Sequence, residues 1–189
     1  EKKKEAAQKT ADQLLLCVTG IALLITVFAV AANRFLLSAI FGKVDEEVMR
    51  NAEIYFYLIA LSFPFMGIYN ASAALSRAMG DSKITMLISV FMNVVNIVGN
   101  AVLILVFHLG VYGVALSTLF SRILGALILF GIMRREERKL HYSRRITFAF
   151  DKDIIKNIMR IGIPTGLDNC IFQVGKILVQ SLIAGLGTV

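Results

Sequence analysis

Residues 84–107 decide the fold: ITMLISVFMNVVNIVGNAVLILVF, directly after the polar turn at residues 77–83. This stretch has no charged residue, and it is longer than the about 20 apolar residues that cross a bilayer. Five polar side chains nevertheless interrupt it, at intervals of four, four, three and four residues: Thr85, Ser89, Asn93, Asn96 and Asn100. These intervals place all five on one face of a helix.

The three amides on this face need polar partners, because hydrocarbon offers no hydrogen bond. We interpret the face as a polar wall of a transport pathway, since polar stripes along whole spans usually face cavities. The alternative is that the amides hold neighbouring helices together.

The composition indicates an all-α, polytopic membrane protein. Mean hydropathy is +0.74, and 57% of the 189 residues are hydrophobic. Uncharged runs near bilayer-spanning length recur along the chain. They predict five transmembrane helices, at residues 14–32, 54–79, 84–107, 112–133 and 163–186.

The connecting segments predict the domain organisation. Residues 1–134 carry the first four spans, 135–162 form a basic linker with a short interfacial helix ending near Pro164, and 163–189 carry the fifth span. Residues 33–50 either extend the first span or lie at the interface. Pro64 should bend the second span, because proline lacks a backbone donor. The chain begins without Met, and we expect it to be part of a longer protein.

The distribution of Lys and Arg predicts the orientation. Fifteen of the 20 basic residues lie in the N-terminal segment and in the connectors of one side, three lie on the other side, and Arg122 and Lys176 lie inside spans. By the positive-inside rule, the basic side is cytoplasmic. This also explains the net charge of +7 without a nucleic-acid partner, which would need a basic face on a soluble domain.

A second polar stripe runs along the fifth span. Its members are spaced by four, three and four residues: Asn169, Gln173, Lys176 and Gln180. A lysine in a span costs about 2.5–3.5 kcal/mol unless it is paired or hydrated, so Lys176 is a candidate for ion coupling or substrate selection. Asp168 lies off the stripe and is either a cation or proton ligand or a carboxylate favoured by the helix start.

Other polar residues have simpler interpretations. The four-residue spacing of Gly113, Ser117, Ser121 and Gly125 favours close helix packing. In the second span Ser62, Tyr69, Ser72 and Ser76 suggest a weaker polar lining. The turn that contains Arg77, Gly80, Asp81 and Lys83 is interpreted as a cytoplasmic helix–helix connection, with Gly80 ending one helix and Asp81 or Ser82 capping the next.

Three motifs resemble the multidrug and toxic compound extrusion (MATE) family. The turn Arg77-Ala78-Met79-Gly80-Asp81-Ser82-Lys83, followed by Asn93-Val94-Val95-Asn96-Ile97, is similar to its Arg-Ala-x-Gly-Asp-Thr-Lys and Asn-x-x-Asn-Ile signature. Residues 110–118 resemble its Gly-Val-x-Gly-Ala-Ala-x-Ala-Thr, and residues 161–169 resemble the opening of its second half. The resemblance covers the whole chain in order.

The resemblance implies twelve spans in two six-helix lobes, of which this chain carries the third to the seventh. It implies export of drugs or organic cations from the bacterial inner membrane, in antiport with sodium or protons and with no other cofactor. The expected partners are the substrate, the bilayer and the remaining helices of the same protein. The chain departs from the family at Asn100, where many members carry Asp, and at Phe172 and Gln173, where some carry Glu.

Two alternatives remain beside efflux. A lipid-linked saccharide flippase of the same superfamily would need a more cationic cavity, for which Arg122 and Lys176 are candidates. A non-transporting membrane scaffold is the other alternative. An enzyme is not expected, because the sequence has no His-Glu-x-x-His, no Gly-x-Ser-x-Gly and no paired aspartates.

Overall fold

The computed structural model describes residues 2–41, 46–135, 142 and 151–186, and in these ranges it has helices and no strand. The predicted all-α class is confirmed. The chain divides into two compact units, residues 1–148 and 149–189. Within the described residues, four stretches are long and apolar enough to cross a membrane: Ala6–Ser38, Glu46–Ala78, Ser82–Val106 and Gly110–Met133.

Helix α1, Lys2–Phe41, is longer than the predicted first span. At 1.5 Å per residue its 40 residues extend for about 60 Å, well beyond the hydrocarbon core. The residues after position 32 therefore extend the first span rather than lie flat, the first of the two predicted alternatives. The acidic end of that connector, with Asp45, lies partly outside the described residues.

The second span is interrupted at Ser62, two residues before Pro64, where the sequence predicts a bend. Helix α2, Glu46–Leu61, ends one residue before Ser62, and α3, Phe63–Ala78, begins with the proline in its first turn. Proline has no N–H and its ring crowds the carbonyl four residues earlier, so it fits the first turn of a helix and not its interior.

Helix α4, Ser82–Ala101, continues into a π-helical segment, Val102–Val106. Helix α5, Gly110–Met133, follows a short turn in which His108 and Gly110 have φ angles of 53° and 52°. In the first unit α5 contacts α2, α3 and α4, while α1 packs against α2 and α3.

A hydrophobic cluster joins α1, α3 and α5 near one end of the first unit. Leu15, Leu75, Leu129 and Met133 are buried in it, together with Tyr142 from beyond α5. We call this end the basic end, because exposed basic side chains surround it: Arg77, Lys83, Arg134 and Arg135.

The second unit contains helix α6, Lys152–Leu186, which passes through Pro164 without a break. The prediction that an interfacial helix ends near Pro164 is therefore wrong. A proline inside a helix removes one backbone hydrogen bond, and a helix of 35 residues can absorb that loss. The predicted boundary between the linker and the fifth span, at residues 162 and 163, falls inside α6. That this boundary separates two domains stays a prediction.

Candidate functional site

The polar face of α4 meets α5 through a group of four side chains, Asn96, Asn100, Ser117 and Thr118, which we call the amide cluster. The Nδ2 atom of Asn96 donates to Thr118 Oγ1 at 3.2 Å, and the Nδ2 atom of Asn100 donates to Asn96 Oδ1 at 3.2 Å. The Ser117 hydroxyl donates to the Asn96 carbonyl at 2.9 Å. Within the described chain, the Oδ1 atom of Asn100 is buried and accepts no hydrogen bond.

Small residues bring α4 and α5 close enough for these contacts. A Cβ atom added at Gly99 would collide with the Ser117 hydroxyl, and one added at Gly113 would lie 3.0 Å from Leu103 Cβ and 3.2 Å from its carbonyl carbon. All four members of the small-residue stripe, from Gly113 to Gly125, are buried. The prediction that this stripe serves close helix packing is confirmed.

Other members of the α4 stripe have different surroundings. Ser89 and Asn93 are exposed on the first unit, whereas Asn96 and Asn100 are half-buried against α5. Thr85 is buried, and its backbone carbonyl lies 3.5 Å from the Tyr69 hydroxyl. The stripe therefore has an exposed part, Ser89 and Asn93, and a part at the contact between helices, Asn96 and Asn100.

The predicted stripe of the fifth span lies on the continuous helix α6. The Nδ2 atom of Asn169 donates to the Thr165 carbonyl at 2.9 Å. The ammonium group of Lys176 lies 4.8 Å from the centre of the Phe172 ring, within range of a cation–π contact. Gln173 follows Asn169 by one turn, and Asp168 adjoins the stripe; the side chain of Gln180 is outside the described set.

The turn between α3 and α4 is closed by Ser76. Its hydroxyl donates to the Asp81 carbonyl at 2.9 Å, and the Asp81 N–H donates to the Ser76 carbonyl at 3.0 Å. Gly80 has a φ angle of +82°, as expected for a residue that ends a helix. Asp81 precedes α4, but its side chain does not make the predicted capping bond. Arg77 and Lys83 are exposed beside it.

The predicted polar lining of the second span is wrong for its serines. Ser62, Ser72 and Ser76 have no exposed surface. Their hydroxyls bond locally or to a buried tyrosine: Ser62 donates to the Ile59 carbonyl at 2.6 Å, and Ser72 lies 3.3 Å from the Tyr142 hydroxyl. They serve helix packing, because a hydroxyl this small can satisfy itself inside the bundle.

Tyr142 was missed by sequence reasoning, which placed it in a linker. Its N–H donates to the Met133 carbonyl at 2.9 Å, and its ring stacks on Phe130 with centroids 5.5 Å apart. Burial raises the pKa of Tyr142 to about 12; the hydrogen bond with Ser72 opposes this shift, and the charge of Asp12 adds to it. A lone tyrosine in a basic segment carries no sequence signal for burial.

Arg122 is one of the two candidates that the flippase alternative has for a more cationic cavity. Its guanidinium donates to the Ser62 hydroxyl at 2.5 Å, at the break between α2 and α3. The signal available in the sequence was the proline at position 64, which implies backbone groups that need partners from neighbouring helices.

An apolar groove of about 380 Å³ lies between α1 and α3. Val18, Ile25, Phe63 and Met66 contribute to its walls, and Asn70 provides an amide at its edge. Its volume lies within the range of small-molecule pockets.

Apolar helices long enough to cross a membrane, a polar cluster between two of them and a basic end together define a polytopic helical membrane protein of the transporter class. A family model described as MatE matches residues 1–102, more than half of the chain. The chain belongs to the MATE family.

Curated relatives agree with this assignment. The chain is 30% identical over 156 residues to the "Probable multidrug resistance protein NorM" of Thermotoga maritima, covering 77% of this chain and 32% of the relative. It is 28% identical over 148 residues to the "Uncharacterized transporter YisQ" of Bacillus subtilis, covering 76% and 32%. The "Multidrug export protein MepA" of Staphylococcus saprophyticus is 27% identical, with 88% and 36% covered. The chain thus spans about a third of the length of these relatives.

Solved structures show the same fold. A crystal structure of MATE in the bent conformation matches with a TM-score of 0.85 and 22% identity, covering 96% of this chain and 40% of the other. An inward-facing multidrug resistance MATE transporter matches with a TM-score of 0.78 and 24% identity, covering 86% and 37%.

Proposed function

We propose that this chain is part of a secondary active multidrug exporter of the bacterial inner membrane. The exporter releases drugs or organic cations in antiport with sodium or protons. Family membership and relatives named as multidrug resistance and export proteins support this proposal. The excess of Lys and Arg supports a cytoplasmic location for the basic end and the N-terminal segment. Its partners are the substrate, the bilayer and the remaining helices of the protein.

The observation that carries the proposal is the amide cluster. Four neutral polar side chains lie at the contact of two apolar helices, α4 and α5, and the Asn100 Oδ1 atom is buried with no donor in the described chain. Amide and hydroxyl oxygens are ligands of hard cations, so this atom can accept a coupling cation, a water molecule or a donor from the missing helices. A buried acceptor with no partner is costly, which favours one of these occupants.

The transport pathway is proposed to run along the polar faces of α4 and α6. On α4 it includes the exposed residues Ser89 and Asn93 and borders on Asn96 and Asn100. On α6 it includes Asn169, Gln173, Lys176 and Gln180, with Asp168 and Lys176 as candidates for ion coupling. The exposure of Ser89 and Asn93 supports their contact with water or substrate, whereas the bonds of Asn96 and Asn100 give these two an additional structural role.

Cysteine accessibility tests the pathway. In the full-length protein without Cys17 and Cys170, cysteine is placed at Asn93, and in matched variants at Val95 and Val98. Val98 is 55% exposed on the first unit, so packing within this unit does not protect it. We expect a membrane-impermeant thiol reagent to label position 93 at least tenfold faster than position 98, because thiolates form in water and not in hydrocarbon. Equal labelling at the three positions would contradict the pathway and leave helix contact as the role of the stripe.

Transport in everted vesicles tests the coupling ion. A fluorescent organic cation is loaded under either a sodium gradient or a pH gradient, with wild type and Asn100→Ala compared. If the amide cluster holds the coupling cation, Asn100→Ala raises the half-saturating concentration of the coupling ion at least tenfold. The half-saturating concentration of the fluorescent substrate does not rise in this way. Transport without either gradient would contradict antiport.

A lipid-linked saccharide flippase is the second candidate function. The observation that favours it is Lys176, a cation inside an otherwise neutral polar stripe. Arg122 gives it less support, because its guanidinium already bonds to Ser62. Translocation of a fluorescent lipid-linked saccharide in proteoliposomes, with no transport of organic cations, would favour this candidate over efflux.

A further inference from the structure

The break in the second span leaves backbone groups inside the membrane that need partners. Pro64 has no N–H, so the carbonyl four residues earlier, that of Ala60, loses its helical hydrogen bond. Ala60 and Ser62 have no exposed surface, and water therefore does not replace the missing donor. In hydrocarbon such groups are satisfied by neighbouring helices or by polar side chains.

Side chains from two neighbouring helices reach this break. From α1, the Thr26 hydroxyl lies 3.2 Å from the Ala60 carbonyl and 2.8 Å from the Ala22 carbonyl, so its one hydrogen is shared between them. From α5, the Arg122 guanidinium donates to the Ser62 hydroxyl, which in turn donates to the Ile59 carbonyl at 2.6 Å. The proline, the freed carbonyl and the two donors belong to four different helices: α3, α2, α1 and α5.

The use of an arginine at this place needs a reason, because a charge inside a span is costly. Here its partner is a buried serine hydroxyl, not a carboxylate. A serine alone can satisfy the Ile59 carbonyl. What the arginine adds is a link from α5 to Ser62, the residue between the end of α2 and the start of α3, and the planar guanidinium gives this link a fixed geometry.

We propose that Arg122 and Thr26 form a clamp that fixes the angle between α2 and α3 at the Ser62–Pro64 break. Arg122 is thus a positioning residue of the transport cycle. The clamp itself follows from the contacts above; its effect on transport rests on the proposed function. Loss of the clamp frees the two half-helices to change their angle, which disturbs the conformational steps of transport more than substrate binding.

Distance measurements in the full-length protein test the clamp without reference to transport. Spin labels are placed at Tyr57 on α2 and Asn70 on α3, both exposed on the first unit. Along a continuous helix these positions would be about 20 Å apart, which pulsed spin-label methods can measure. We expect Arg122→Met and Thr26→Val to at least double the width of the distance distribution. Arg34→Met is the matched control, because Arg34 also reaches from α1 to α2 but pairs with Glu53, nine residues before Ser62, and not with a group at the break.

A suppressor variant decides whether the proline is the reason for the clamp. Pro64→Ala restores a backbone donor for Ala60, so the clamp becomes unnecessary. In the Pro64→Ala background, Arg122→Met and Thr26→Val should leave the distribution at the width of Pro64→Ala alone. An unchanged width for both variants in the Pro64 background, or equal broadening in the two backgrounds, would overturn the clamp. Thr26→Val keeps the size of the side chain, so the test stands even where Arg122→Met does not insert.

Transport by the same variants tests the positioning role. Arg122→Met should lower the maximal rate at least fivefold, with less than a twofold change in the half-saturating substrate concentration. Arg122→Lys should recover part of this rate. A large change in half-saturation would instead place Arg122 in the substrate site and contradict its role at the break. If the wild-type protein transports no drug, the proposed function is refuted. The distance measurements would still test the clamp, because they do not depend on transport.

Discussion

Replacement of Tyr142 by Phe should lower the free energy of unfolding of the first unit at pH 8. It should also remove the part of the pH dependence of this free energy that comes from the tyrosine hydroxyl. Tyr142 is 1% exposed, and its hydroxyl meets Ser72, which is fully buried on α3. Phe keeps the ring and its contact with Phe130 but loses this hydrogen bond. At pH 8 we expect a loss of about 1 kcal/mol in the free energy of unfolding, as for a typical buried hydrogen bond.

The pH dependence has a definite sign. The pKa of Tyr142 is raised to about 12 in the folded protein, against about 10 for an exposed tyrosine, so folding favours the protonated phenol. Its stabilising contribution is full below pH 10 and is lost as the pH rises from 10 to 12. At pH 11 about 1.4 kcal/mol of it should be gone. Tyr142→Phe does not titrate, so its deficit at pH 8 should vanish or reverse at pH 11.

Unfolding of the full-length protein in mixed micelles with increasing SDS provides the measurement. Tyr112→Phe is the matched control, because it makes the same substitution at a tyrosine that is 39% exposed. Parallel stabilities of wild type and Tyr142→Phe between pH 8 and pH 11 would refute the reasoning. So would an unchanged stability in Tyr142→Ala, for which loss of the buried ring should cost about 3–5 kcal/mol.

Two further variants test the helix contacts and the α6 stripe. Gly113→Ala should lower the free energy of unfolding by about 1–3 kcal/mol, because its Cβ would meet Leu103. The control is Gly131→Ala, whose Cβ would meet open space, and which should be neutral or stabilising by up to about 1 kcal/mol. Equal effects of the two substitutions would contradict close packing at Gly113. Lys176→Met should abolish drug export in a whole-cell accumulation assay without loss of membrane insertion, while Lys156→Met should not. Lys176→Arg keeps the positive charge but cannot release its proton, so it should block proton coupling and preserve substrate selection. Wild-type export by Lys176→Met would remove Lys176 from the pathway.

The existence and order of the helices could be predicted from the sequence, because uncharged runs of bilayer length have few alternatives. Their ends were less predictable. Helix α1 extends from Lys2 to Phe41 because nothing in its sequence breaks a helix, although hydropathy marks only its central part. The small-residue stripe from Gly113 to Gly125 was predicted correctly, since its spacing has a direct geometric meaning.

Proline gave one correct and one wrong prediction. Pro64 lies in the first turn of a helix, directly after an interruption, and Pro164 lies inside a helix. The residue itself is the same in both places, so its effect depends on whether neighbouring side chains supply partners for the backbone groups that an interrupted helix leaves without bonds. At Pro64, Ser62, Thr26 and Arg122 do so. These partners lie up to 60 residues away in sequence, where local patterns carry no information.

The stripe on α4 shows a similar limit for the candidate site. Helical spacing correctly places Asn93, Asn96 and Asn100 near one another, but a helix face is wider than the strip that one neighbouring helix covers. Helix α5 contacts the part with Asn96 and Asn100, since Gly99 lets Ser117 approach there, and leaves Asn93 exposed. The two interpretations of the stripe, pathway wall and helix contact, are therefore not exclusive. Because Asn96 bonds to Thr118 and Ser117 of α5 close to the exposed Asn93, any movement of α5 against α4 would also change the polar surface next to the proposed pathway.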